Sequence, residues 1–172
     1  MITYSGSART IDAEFIETSR AFLRDDFLPK LLHCVEQMPD EDIWWRPNEV
    51  SNSIGNLILH LCGNIRQWIV AGIGGGDFQR NRDAEFTARG PIPRKELVRL
   101  LQESINAVEG VLAGISGERL LNRHHVQKYD PTELQMIYHV VEHFSYHLGQ
   151  ILYIYKLRTG ADPGFYRDLS NR

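Results

Sequence analysis

Cysteine is nearly absent. Cys34 and Cys62 are the only two in 172 residues, and their spacing makes no zinc-type pair. Each falls in a helical pattern, where a small buried hydrophobe is the expected role. No apolar run approaches the roughly 20 residues that a membrane-spanning helix needs. Excess positive charge is also lacking: the formal charge is −3, which leaves no electrostatic footprint for nucleic acid or an anionic membrane. The opening Met-Ile-Thr-Tyr-Ser-Gly-Ser has no basic start followed by an apolar run, so no signal peptide is expected. A cytoplasmic location is the default, and a reducing compartment disfavours a disulfide. There is no internal repeat, heptad seam or low-complexity segment, and no convincing strand pattern. The triple glycine Gly74-Gly75-Gly76 follows a helix and precedes no strand-to-helix turn, so it reads as a flexible loop rather than a phosphate cradle.

What is present is amphipathic helix. With 42% hydrophobic and 24% charged residues, the chain has the composition of one globular domain, spanning 1–172 with peripheral tails at 1–9 and 161–172. The first helix starts near Thr10 and carries Phe15, Ile16, Phe22, Leu23, Phe27, Leu28, Leu31, Leu32 and Val35 on one stripe. Pro29 lies inside it and should kink or split it. A second helix starts at Asn52 or Ser53 and runs to about Ala71. A long connection, Gly72 to Ile92, leads to a third helix from Pro93 to about Gly114. A polar stretch with a short turn at Arg119-Leu120-Leu121 precedes the fourth. That last helix is bounded by Thr132, with Gln135 completing a capping box, and by Gly160 with Pro163 beyond. Leu134, Ile137, Val141, Leu148, Ile151 and Leu152 are its expected apolar surface. Four long helices without strands make an all-α four-helix bundle, and the long link between helices two and three allows a crossover.

The fourth helix carries a histidine row. His139, His143 and His147 recur every four residues, which keeps them on one face with a drift of about 40° per step. Two imidazoles one turn apart can reach a single ion, so either His139–His143 or His143–His147 makes a ligand pair. A third ligand has to come from another helix. His60 is central in the second helix, flanked at four-residue spacing by Asn56 and Asn64. That polar row lies between leucines and isoleucines and so faces the interior, where the asparagines could orient ligands or a water. His33 in the first helix is the other helical candidate, in a charged and apolar setting. Phe144 stands where a His-Glu-x-x-His peptidase has its glutamate, and Glu142 points about 100° away, which disfavours peptidase chemistry. Tyr146 is expected to pack between helices, and His124 and His125 to be solvated loop residues. The plain alternative is a bundle with hydrogen-bonded core histidines and no metal.

The strings Glu142-His-Phe-Ser-Tyr-His-Leu-Gly-Gln-Ile151 and Ser53-Ile-Gly-Asn-Leu-Ile-Leu-His60, with Trp45-Arg-Pro47 just before the second helix, resemble the DinB/YfiT-like superfamily of metalloenzymes. The resemblance spans most of the chain. It implies an up-down-down-up bundle, a homodimer formed through helix faces, and a divalent metal, zinc or nickel, held by one histidine from helix two and two from helix four. By position these are His60, His143 and His147. His139, a full turn of roughly 6 Å from His143, is expected outside the ligand set.

Three histidines leave a metal coordinatively open, which suits a substrate atom or an activated water, and a thiol bound there becomes a nucleophilic thiolate. Relatives in the superfamily include thiol-dependent isomerases and S-transferases. The expected function is therefore activation of a low-molecular-weight thiol for attack on a small electrophile. No general base can be named. A metal-dependent hydrolase and a non-catalytic metal-binding stress protein are the alternatives.

Overall fold

A computed structural model of the protein describes residues 10–90 and 92–167. The expected tail at 1–9 and the end of the other tail, 168–172, lie outside them. The fold is all-helical, and among the described residues there is no strand. Only two isolated bridges occur, Arg123 with Thr132 and Val126 with Tyr129.

Helix α1 (Ile11–Ala21) follows Thr10 and runs through a π-helical turn, Phe22–Phe27, into α2 (Leu28–Gln37). Pro29 therefore does not split the helix. Proline lacks an N–H, and its ring crowds the carbonyl four residues back. The wider turn, in which Leu28 N–H reaches back to Leu23, gives that carbonyl room. Met38 is extended and ends α2. The short α3 (Asp40–Ile43) follows, with three acidic residues in its first turn, where the helix dipole favours them.

Helix α4 (Ile54–Ile65) has Ser53 as its N-cap, in a reciprocal capping box with Asn56, and continues through a second π-helical turn, Arg66–Ala71. Every residue from Ile54 to Ile65 is buried except Leu59, which is half-buried. Being apolar on all sides apart from its Asn56-His60-Asn64 row, α4 needs cover on all sides. It packs against three elements: α5 (Arg82–Thr87), α6 (Arg94–Leu112) and α7 (Glu133–Thr159).

Helix α5 lies within the expected long connection, where no helix was foreseen. Its N-cap, Asn81, accepts from Ala84 N–H at 3.1 Å. The 3-10 turn Gly117–Leu121 stands where the short turn was expected. Helix α7 has the expected ends: Thr132 and Gln135 form a capping box, and Gly160 sits at φ 67°, left-handed backbone that glycine adopts without strain.

The buried face of α7 is displaced from the expected one. Met136, Val140, Phe144 and Tyr155 join Ile137, Leu148 and Ile151 in the core, whereas Leu134 is exposed and Val141 and Leu152 are half-buried. Phe144 sets this rotation, because its fully buried ring stacks on Phe27 at 5.7 Å. Full burial of such a ring stabilises by about 1.5–3 kcal/mol. Helix contacts recur in register elsewhere. Arg20 and Arg24 share Glu109 at 2.8 and 2.7 Å, Arg66 Nε donates to Ser104 at 3.0 Å, and Arg158 Nε donates to Asp42 at 2.8 Å. After α7 the chain turns back. Phe165 packs partly on the core, its ring edge-on to His33 with centroids 5.3 Å apart, so that part of the tail is held against the bundle.

Candidate metal centre

The polar row of α4 meets the histidine row of α7 under cover of α5. His60, 5% exposed, projects from mid-α4 with its Nε2 3.0 Å from His143 Nε2. His147 Nε2 lies 3.2 Å from the same atom. One nitrogen from each of the three rings falls within 4.8 Å of the other two. The four-residue spacing on α7 stacks His143 and His147 one above the other, and α4 delivers His60 from the facing side.

Their outer nitrogens determine what the inner ones can do. His60 Nδ1 is 2.8 Å from Glu85 Oε2. Arg80 Nη2, a donor, also lies 3.1 Å from Nδ1, but it donates to Glu85 Oε2 at the shorter 2.8 Å. A carboxylate only accepts, so the shorter Glu85 contact assigns the hydrogen to Nδ1, and Nε2 of the neutral ring presents a lone pair. His147 Nδ1 is 3.2 Å from Gln150 Oε1; donating to that oxygen leaves its Nε2 likewise as a lone pair. His143 Nε2 sits between the two and can carry at most one hydrogen. At least two lone pairs therefore converge on one point, an arrangement that a cation satisfies. The residues present fit a divalent metal.

The electrostatics agree with neutral ligands. Burial, reinforced by His147, His60, His139 and Arg80, pushes His143 down to about 3. Burial lowers His147 as well, aided by His60 and opposed by the Gln150 contact. His139 is lowered chiefly by burial. Imidazoles that resist protonation keep their lone pairs available at neutral pH. Against its own burial, Glu85 is held below the usual carboxylate range by hydrogen bonds from Arg80 and His60.

His139 does not join the trio. Its Nε2 pairs with Asn64 Nδ2 at 3.1 Å, and its ring lies 4.5 Å from Trp68. Asn64 therefore serves His139, while Asn56 Nδ2 donates to the Glu85 and Ala88 carbonyls, both at 2.9 Å, and holds α5 in place. His143 Nδ1 and Asn64 Oδ1 are buried without a protein partner. His33 lies away against Phe165, and Glu142 is exposed. Tyr146 does not pack between helices: it is 62% exposed, with its ring edge-on to His147 at 5.0 Å. Of the loop histidines, His125 is exposed beside Asp130, but His124 is half-buried and contacts the fully buried Glu133 at 2.9 Å.

Sequence reasoning missed Glu85 and Arg80, which come from the connection. The usable signal was local: Asn81 as a cap, with Asp83 and Glu85 in the following turn, marks a short helix start. Two hollows flank the histidines. One, of about 550 Å³, is lined by Trp68, Tyr129, Arg123 and His139. The other, of about 570 Å³, is lined by Trp45, Tyr146, Gln150 and Tyr153. Both are of a size that takes a small molecule.

A family model described as a protein of unknown function, DUF1572, matches residues 10–165. A conserved protein from Enterococcus faecalis is similar in structure, with a TM-score of 0.70 and 16% identity over 90% of this chain and 100% of that one. A DinB-like protein from Bacillus cereus is similar with a TM-score of 0.64 and 15% identity, over 84% of this chain and 91% of that one. No curated protein matches the chain.

Proposed function

The chain belongs to the DUF1572 family, and from that premise we propose that it is a DinB/YfiT-like metalloprotein that holds one divalent metal ion on His60, His143 and His147 and uses it to activate a low-molecular-weight thiol. The observation that carries the metal reading is the convergence of Nε2 atoms at 3.0 and 3.2 Å, with the Nδ1 atoms of His60 and His147 already bonded outward. Zinc and nickel both suit an all-imidazole set. Such an ion, held by three neutral imidazoles, would supply Lewis acidity that lowers the pKa of a thiol.

The protein's own residues do the rest. His60, His143 and His147 bring no ligand charge into the buried site, so the ion keeps its full positive charge. Gln150 and Glu85 orient two of the three rings. One hollow is lined by Tyr146 and Gln150, the two side chains that touch His147, and offers aromatic and apolar walls for the electrophile. Metal-loaded protein, incubated with bacillithiol, mycothiol or glutathione and a generic electrophile, is expected to show thiol consumption that needs both metal and thiol. A rate that needs the metal but no thiol replaces this reading with hydrolysis. No metal-dependent rate at all leaves a non-catalytic metal-binding protein.

We further infer a single domain with up-down-down-up helix order. The Arg66–Ser104 contact, with a β-carbon at Gly74 set to meet Val111, supports α4 and α6 running the same way. The Phe27–Phe144 and Asp42–Arg158 contacts support α2 and α7 doing so. A cytoplasmic homodimer belongs to the same proposal. Light scattering of the purified protein tests the oligomeric state.

A further inference from the structure

We propose that Glu85 is the positioning residue of the metal site: clamped by Arg80 and seated in a notch at Gly63, it takes the Nδ1 hydrogen of His60 and thereby aims Nε2 at the metal. This rests on the metal reading above and adds a determinant that no ligand search would find, because Glu85 is not itself a ligand.

Four observations carry it. First, the His60 Nδ1 to Glu85 Oε2 distance is 2.8 Å, and both side chains are nearly enclosed, at 6% and 9% exposure. Second, Arg80 grips the carboxylate with two prongs, Nε to Oε1 at 2.7 Å and Nη2 to Oε2 at 2.8 Å. Arg80 is itself only 5% exposed and is tied back to Gln67 Oε1 at 2.9 Å. With both oxygens engaged, the carboxylate is held on Nδ1 and away from the point where the three Nε2 atoms meet. Third, Gly63 stands three residues after His60 on the same helix, and a β-carbon there would overlap Glu85 Oε1 and lie 2.9 Å from Arg80 Nε. Glycine inside a helix costs stability, so one that makes room for a buried ion pair points to a use for that pair. Fourth, Asn56 fixes the backbone on which Glu85 stands, through the Glu85 and Ala88 carbonyls.

Stability alone is a poor explanation of the arrangement. A buried Arg–Glu pair gives little net advantage over an apolar pair of similar volume, since both charges are taken out of water. A carboxylate on the outer nitrogen of a metal-binding imidazole, in contrast, fixes the tautomer and strengthens the ligand, and loss of such a partner weakens metal affinity by about 10–100-fold.

The test compares the wild type with Glu85→Gln and Gly63→Ala. Zinc and cobalt(II) dissociation constants are measured by chelator competition, and the thermal midpoint of each metal-free protein is measured alongside. Both variants are expected to keep one-to-one binding with affinity about 10–100-fold weaker. Gly63→Ala displaces the carboxylate without altering its chemistry, so a shared defect assigns the effect to placement. A second readout needs no variant: long-range 1H–15N spectra of the metal-free wild type are expected to show the hydrogen of His60 on Nδ1. Affinities within twofold of wild type in both variants, or a His60 hydrogen on Nε2, overturn the role of Glu85 and leave the metal site standing. A wild type that binds neither zinc nor cobalt overturns both.

Discussion

Acid is expected to destabilise the metal-free protein well above the pH at which carboxylates titrate, and His143 is the main cause. Its imidazole is pushed down to about 3 by burial and by the neighbouring His147, His60 and His139 rings and Arg80. In the unfolded chain it returns to about 6.5. The folded value is the lower one, so the unfolded chain binds the proton first. Stability is therefore fully present above pH 6.5 and is lost as pH falls towards the folded value. At pH 8 the ring is neutral in both states. At pH 5 the unfolded ring is protonated and the folded ring is not, which favours unfolding by a factor of about 30, or about 2 kcal/mol. His139 and His147 are shifted in the same direction and deepen the fall. The assay is urea unfolding of chelator-treated protein at pH 8 and pH 5, for the wild type and His143→Leu. The variant, which has no ring at this position, is expected to lose about 2 kcal/mol less than the wild type over that interval. Equal losses in the two proteins, or a wild type more stable at pH 5 than at pH 8, would falsify the assignment of a buried neutral His143.

Two substitutions away from the ligands test the scaffold. Asn56→Ala removes the reciprocal cap with Ser53 and takes the side-chain donor from the buried Glu85 carbonyl, while the half-buried Ala88 carbonyl keeps its bond from Arg89, so a loss of roughly 2 kcal/mol is expected, read as a fall in thermal midpoint of roughly 4–8 °C. A fall under about 2 °C contradicts the role given to this side chain. Phe144→Ala removes a fully buried ring stacked on Phe27 and should cost about 3–5 kcal/mol in urea unfolding; a cost below about 1 kcal/mol shows that this contact does not set the rotation of α7.

The ends of the helices were legible because local chemistry specifies them: Ser53, Thr132 with Gln135, and Gly160 each act within a few residues of their own position. The two polar rows that meet between α4 and α7 were legible for the same reason, since a four-residue spacing fixes which side chains share a face. Which apolar residues of α7 turn inward was less so, because Val140 and Val141 are equivalent by hydropathy and tertiary packing, the Phe27–Phe144 stack included, separates them. The π-helical turn before Pro29 was out of reach for a similar reason. The proline announces a disturbance, but the way the chain absorbs it depends on packing. Glu85 and Arg80 were the largest omission. They stand 25 and 20 residues from His60 in a stretch rich in glycine and charge; the Asn81 cap marks a helix start there, but only the tertiary contact brings the two side chains to His60.

The central claim is that His60, His143 and His147 together hold one ion. The most direct measurement is metal content per chain of the purified protein, after loading with zinc and gel filtration, for the wild type and His143→Ala. One equivalent in the wild type and little or none in the variant is the expected result, with a thermal midpoint that rises on loading only in the wild type. Equal metal content in the two proteins contradicts the site, and a wild type that retains no metal contradicts the claim outright.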